Sequence, residues 1–225
     1  MWKLVILKGK KKMSEFNKKD YNMYSFVFDL ETTGLDINKH IPIEISMIPV
    51  AFSKKKKKYV ILKEDFIDTL IIPFGEYEVD KKAMEVNKID ISKIAKRGHK
   101  IEKVVEVIIE MAVFYKQQRS RNLPMLIGHN IDSYDIRFLK KMFDYCNKDI
   151  YDYFNKSTFD TYNNCRLLLN HVEGIVSYSL VNLCKYFGIR NFDAHKSYND
   201  SYANAELFCK IMNLFKHERI ELLKL

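Results

Sequence analysis

Long apolar runs are missing from this sequence, and their absence narrows what the chain can be. No stretch approaches the roughly 18 consecutive apolar residues of a membrane-spanning helix. The opening Met1-Trp-Lys-Leu-Val-Ile-Leu7 is too short an apolar segment for a signal peptide, and its lysines mostly follow that segment. A soluble, cytoplasmic protein is therefore expected. Cysteine is scarce: Cys146, Cys165, Cys184 and Cys209 stand with no Cys-x-x-Cys spacing. That argues against a zinc site and for buried free thiols in a reducing compartment. Arginine is sparse as well, 7 residues against 31 lysines. The net charge of +9 favours a polyanionic partner. A lysine-rich composition with many Asn and Ile is equally the signature of an AT-rich genome, so charge alone decides little. Residues 1–58 hold 13 lysines against 6 acids, which places +7 of the excess there.

What remains is the composition of a globular domain, with 47% hydrophobic and 30% charged residues in a chain of 225, enough for one full core. Residues 1–23 read as a basic, flexible N-terminal segment, with Met13 a conceivable second start, and 24–225 as one domain. No repeat or linker divides it. Tyr24–Glu31 alternates as a strand, placing Phe26, Phe28 and Leu30 on one face and Val27, Asp29 and Glu31 on the other. Further strands are expected at Pro42–Phe52 and Asp65–Ile72, joined across the five-lysine run Lys54–Lys58. That run reads as a solvated hairpin tip or as a grip on a phosphate backbone.

Residues 101–116 carry Ile101, Val104, Val105, Ile108, Ile109 and Ala112 on one helical stripe, opposite Glu102, Lys103, Glu106 and Glu110. Pro124-Met-Leu-Ile-Gly128 is a short buried strand. Helices are predicted from Asp135, with Ile136, Leu139, Met142 and Phe143 inward, over Ser179–Phe187, and from about Ser201 past Phe215, with Ala203, Leu207, Ile211 and Phe215 as its core face. Strands followed by alternating helices and strands predict an α/β sandwich.

Three separated motifs carry chemistry. They are Phe28-Asp-Leu-Glu-Thr-Thr-Gly-Leu-Asp36, Gly128-His-Asn-Ile-Asp-Ser-Tyr-Asp135 and His195-Lys-Ser-Tyr-Asn-Asp200. Asp29 and Glu31 share one sheet face at the carboxyl end of a central strand, where α/β sheets place their sites. Asp135 and Asp200 each fall at a helix start. There a helix cap explains either one, and a helix start also holds a carboxylate ionised and rigid. Four carboxylates around one point suit two divalent cations about 3.5–4 Å apart, Mg2+ or Mn2+, which clamp attacking and leaving oxygens of a phosphodiester. His195, five residues before Asp200, can take a proton from water near neutral pH. His129 and Asn130 either support the loop carrying Asp135 or touch substrate. Leu35 and Tyr134 flank the acids, and either stack on a terminal base or pack in the core.

At these residues the sequence resembles the histidine branch of the DEDD 3′→5′ exonuclease superfamily, the branch of the DNA polymerase III proofreading subunit and ribonuclease T. The first motif is close to the family form. In the third, His195-x4-Asp200 is followed by Ala203 and Ala205, and Lys196 stands where the sister branch carries tyrosine. Phe159-Asp-Thr161, Cys165-Arg-Leu-Leu168 and Tyr178-Ser-Leu-Val-Asn-Leu-Cys184 also look like the family's connecting segments, so the resemblance spans roughly 24–216. The second motif departs from the commonest form, since His129 to Asp135 is one residue longer. The resemblance implies a ribonuclease H-like three-layer sandwich with a mixed five-stranded sheet flanked by helices. It implies release of nucleoside monophosphates from single-stranded or frayed 3′ ends. Asp29, Glu31 and Asp200 would hold one metal, Asp29 would bridge to a second, and Asp135 would assist through water. His195 would be the general base, with the Thr32 backbone and Leu35 meeting the terminal nucleotide.

Thr32-Thr33 is closer to the DNA-directed members, so DNA is the expected substrate, in repair or proofreading, with association to a polymerase one option. The rival within the chemistry is an exoribonuclease acting on RNA ends or short oligoribonucleotides. The rival outside it is a nucleic-acid-binding relative that has lost catalysis, which an intact set of five site residues disfavours. Oligomeric state and pathway are not legible.

Overall fold

The computed structural model of the protein describes residues 18–63, 65–116, 123–190 and 196–222, with side chains as far as Leu214. Of the expected flexible segment 1–23, residues 1–17, Met13 included, lie outside the described residues, as do His195 and the side chain of Phe215, whereas 18–20 form a 3-10 turn and 21–23 already belong to a strand.

The fold is organised by a 12-residue strand, β1 (Tyr21–Thr32), which begins three residues ahead of the alternation seen in the sequence. Its alternation sorts Phe26, Phe28 and Leu30 into one core and Val27 into another on the opposite face. β2 (Pro42–Ser53) runs antiparallel to it, so Asp29 lies opposite Ser46 and Glu31 opposite Glu44. The far edge of β2 is covered in two pieces. β3 (Lys58–Ile61) pairs with Val50–Ser53, and β4 (Ile67–Leu70) pairs with Glu44–Met47. The expected strand over Asp65–Ile72 is thus β4. β3 escapes the sequence pattern because four residues at a hairpin exit show almost no period.

The helix α1 (Lys81–Asn87), then α2 (Ile91–Arg97) and α3 (Ile101–Tyr115), cross to β5 (Met125–Gly128), which lies parallel to β1. α4 (Asp135–Tyr145) leads to β6 (Thr158–Asp160), parallel to β5. The sheet reads β3-β2-β1-β5-β6, five strands in a mixed sheet, with β4 as a short sixth on β2. α5 (Thr161–Leu168), α6 (Leu180–Tyr186) and α7 (Ser197–Leu222) follow.

Three layers result. Phe26, Phe28, Ile45 and Met47 pack with Val104, Ile108 and Met111 of α3 and Phe138 and Met142 of α4. On the other face Val27, Val50 and Ile127 meet Ala205 and Phe208 of α7. Ala203, Leu207 and Ile211 of α7 meanwhile pack against Leu183 and Cys184 of α6. The small Ala205 lets α7 lie close over the sheet, and Ala203 lets it lie close to α6. All four cysteines are free thiols. Among the described residues no helix is long and apolar enough to cross a membrane.

Candidate active site

Asp29 and Glu31 leave the sheet on the face that α7 covers, at the carboxyl end of β1. Asp200 meets them from above, because α7 starts at Ser197 and so carries Asp200 in its first turn. One carboxylate oxygen from each of Asp29, Glu31 and Asp200 lies within 4.8 Å of the others. The sequence pattern starts this helix near Ser201, since Ser197–Asn199 is polar and reads as loop. Its true start depends on a contact with β2: the backbone N–H of Ser197 donates to the Glu44 carboxylate at 3.4 Å.

The three acids open into a cleft of about 450 Å3, which Leu35, His129, Asn130, Tyr134 and Asp135 also line. Asp135 reaches it from the other side of the sheet. Pairing of β1 with β5 ends at Val27↔Ile127, and beyond that point the Leu30 backbone N–H donates to Asp135. The longer second motif is absorbed in a turn over 131–134, entered through Asn130 in the left-handed conformation (φ 64°). Asp135 still opens α4 and stands 6% exposed.

Burial of like charges dominates the electrostatics. Asp29 is pushed well above the ordinary carboxylate range, first by burial and then by Asp135, Glu31, Asp200 and Glu44. Burial raises Glu31 to about 8, with Glu44 and Asp200 adding to it. It raises Asp135 to about 7 against the backbone N–H groups that favour its charged form. Carboxylates so arranged ionise together only when a cation compensates them. An all-oxygen donor set on two strands and a helix is what hard divalent ions take, so the residues present fit a divalent cation.

The rest of the rim is built for rigidity. Thr32 Oγ1 donates to the Gly34 carbonyl at 2.8 Å and meets the Tyr134 hydroxyl, which itself donates to the Gly34 carbonyl at 3.1 Å. Lys141 Nζ donates to the carbonyls of Ile37 and His40, both at 2.7 Å. This loop presents Leu35 with 77% of its surface exposed, so Leu35 does not pack in the core. Tyr134 is half-buried, leaning on Phe138 at 4.9 Å between ring centres.

His129 is buried deeply enough to lower its pKa, with Nδ1 at 3.0 Å from the Thr161 hydroxyl. Asn130 is tied by its backbone N–H to Asp160 at 3.1 Å. Asp160 also caps α5, and Thr161 donates to Asn204, one turn beyond Asp200. Asp160, Asn204 and Glu44 are therefore part of the site's frame, although the motifs do not mark them. Asp160 falls in the connecting segment Phe159-Asp-Thr161, and Glu44 leaves a signal as a lone acid in the apolar run Pro42-Ile-Glu-Ile-Ser46.

The family model described as Exonuclease, of the RNase_T type, matches residues 26–208. The chain belongs to this exonuclease family. It is a DEDD 3′→5′ exonuclease. Ribonuclease T of Shewanella denitrificans is 26% identical over 206 residues, covering 90% of this chain and 86% of that one. Ribonuclease T of Buchnera aphidicola subsp. Schizaphis graminum is 27% identical over 195 residues, covering 86% and 84%. A PolC-type DNA polymerase III of Caldanaerobacter subterraneus is 28% identical over 188 residues, which is 83% of this chain and 11% of the polymerase.

Among solved structures, E. coli exonuclease I in complex with a dT13 oligonucleotide shares the fold, with a TM-score of 0.69 at 18% identity. The match covers 87% of this exonuclease and 43% of exonuclease I, so the chain spans less than half of that neighbour. The expected α/β sandwich with a mixed sheet is the architecture found. The matched span takes in Asp29, Glu31, Asp135 and Asp200.

Proposed function

We propose that this exonuclease removes nucleoside monophosphates from single-stranded or frayed DNA 3′ ends, using two divalent cations and a histidine base. The observation that carries the reading is the meeting of Asp29, Glu31 and Asp200 oxygens within 4.8 Å, beside an exposed Leu35. Asp29, Glu31 and Asp200 would hold Mg2+ or Mn2+ directly, with Asp135 assisting at the cleft wall. When bound, such ions neutralise charge on the attacking and leaving oxygens of the phosphodiester.

His195 takes the proton of the attacking water. Leu35 presses on the terminal base, while the Thr32 backbone and Tyr134 set the position of its sugar. His129 and Asn130 hold the loop that delivers Asp135.

A second reading, an exoribonuclease, is favoured by the ribonuclease T relatives. Thr32-Thr33 in the first motif favours DNA. A role in proofreading or repair, with a polymerase as partner, has the PolC-type relative in its support. Matched 5′-labelled DNA and RNA oligomers, each digested with Mg2+ and scored for 3′ shortening, separate the readings. Faster loss of DNA supports the first reading, and faster loss of RNA overturns it in favour of the second.

A further inference from the structure

Asp200 is useful to a cation only if the first turn of α7 is held still against the sheet. The opening N–H groups of a helix have no partner inside it. Here the first of them, on Ser197, donates to the Glu44 carboxylate, and Glu44 is only 2% exposed in the middle of the sheet. It stands directly opposite Glu31, a placement of like charges that works against the fold. An apolar side chain there would avoid the cost of burying a carboxylate.

The surroundings are arranged to retain the acid. Ser46, two residues along on the same face and opposite Asp29, accepts through its carbonyl a bond from the Ser201 hydroxyl at 3.4 Å. Burial and the charge of Asp68 push the Glu44 carboxyl up, and the Ser197 contacts and the positive charge of Lys196 act against them. Ser197 and Ser201 bracket Asp200, so β2 grips α7 on both sides of the residue that must reach Asp29 and Glu31.

We propose that Glu44 is a positioning residue, which anchors the N-terminus of α7 to β2 and so sets Asp200 at cation-binding distance from Asp29 and Glu31. This rests on the reading of the three acids as a cation centre. Metal sites lose binding when their supporting groups let a ligand drift by about 0.5 Å.

The test uses Glu44→Ala, Glu44→Gln and Ser197→Pro in the full chain. Proline is accepted at a first helical position and removes both the N–H and the hydroxyl that Ser197 offers to Glu44. Mn2+ binding is followed by electron paramagnetic resonance, with kcat and KM measured on a labelled oligonucleotide. Glu44→Ala and Ser197→Pro are each expected to weaken Mn2+ binding about 10- to 100-fold, and to lower kcat while KM stays nearly constant. Glu44→Gln keeps an acceptor oxygen and is expected to restore most of both.

Wild-type Mn2+ binding in Glu44→Ala would overturn the proposal, as would a normal Ser197→Pro beside a defective Glu44→Ala. If Glu44→Ala does not fold, Ser197→Pro decides alone. A wild-type protein that binds Mn2+ but cuts no nucleic acid overturns the activity, while the Mn2+ midpoints of the variants still decide the role of Glu44.

Discussion

Glu31 and Glu44 stand directly opposite each other on β1 and β2, two carboxylates on one sheet face with Asp200 above them. Burial lifts Glu31 to about 8 and Glu44 to about 7, both from an ordinary 4.5. Between pH 4.5 and 8 the folded protein therefore holds more protons than the unfolded chain, and stability falls as the pH rises. The contribution of the protonated pair is complete below about pH 4.5 and lost as the pH passes through 7 and 8. In chelator, the melting temperature is expected to drop steadily from pH 5 to pH 8.5. Mg2+ is expected to bind the ionised carboxylates and to raise the melting temperature most at the alkaline end. Thermal scans across that range, with and without Mg2+, check both trends.

Gly34 lies against the His40 ring so closely that a Cβ at position 34 would sit 2.5 Å from Nε2. His40 cannot swing aside freely, because its Nδ1 lies 3.0 Å from the Glu78 carbonyl. Gly34→Ala is expected to cost about 1–3 kcal/mol of stability, as overpacking does. It should also displace Leu35 and raise KM for oligonucleotide more than it lowers kcat. Denaturant unfolding and steady-state kinetics measure the two effects.

The five-lysine hairpin sits at the wrong end of the sheet to serve the reacting phosphate. Ser46 is beside Asp29, and Ser53, at the hairpin, is seven residues on, about 24 Å away along the strand. Replacing Lys55, Lys56 and Lys57 with alanine is expected to leave kcat and KM on a trinucleotide unchanged. A loss of kcat on that short substrate would contradict this placement.

The site was legible where chemistry and periodicity coincide. Alternation in β1 alone places Asp29 and Glu31 together, and the helical stripe of α3 was visible from Ile101 to Ala112. Helix starts at Asp135 and Asp200 could be read as caps or as ligands, and only the tertiary fold brings Asp200 to β1. Glu44 stayed hidden because its meaning depends on strand register, which no local pattern states. The same holds for Asn204, whose partner Thr161 lies 43 residues away in sequence. α7 begins earlier than the local pattern predicts, and the Ser197 contact with Glu44 on β2, which no local pattern states, accompanies that earlier start.

His195→Ala separates catalysis from cation binding. As the proposed base the imidazole would move a proton without joining the oxygen donors, so the variant is expected to lose most of its turnover. Its thermal shift on adding Mg2+ should match that of the unaltered protein. Near-normal turnover would remove His195 from the role of base.

The central claim is that Asp29, Glu31 and Asp200 form one cation-dependent hydrolytic centre. Its most direct test is digestion of a 5′-labelled single strand by the unaltered protein and by Asp29→Asn and Asp200→Asn, over a Mg2+ titration. A ladder shortening from the 3′ end that rises with Mg2+, vanishes in chelator and is missing from both variants is the predicted result. A ladder that persists in chelator, or in either variant at ordinary Mg2+, would contradict the account.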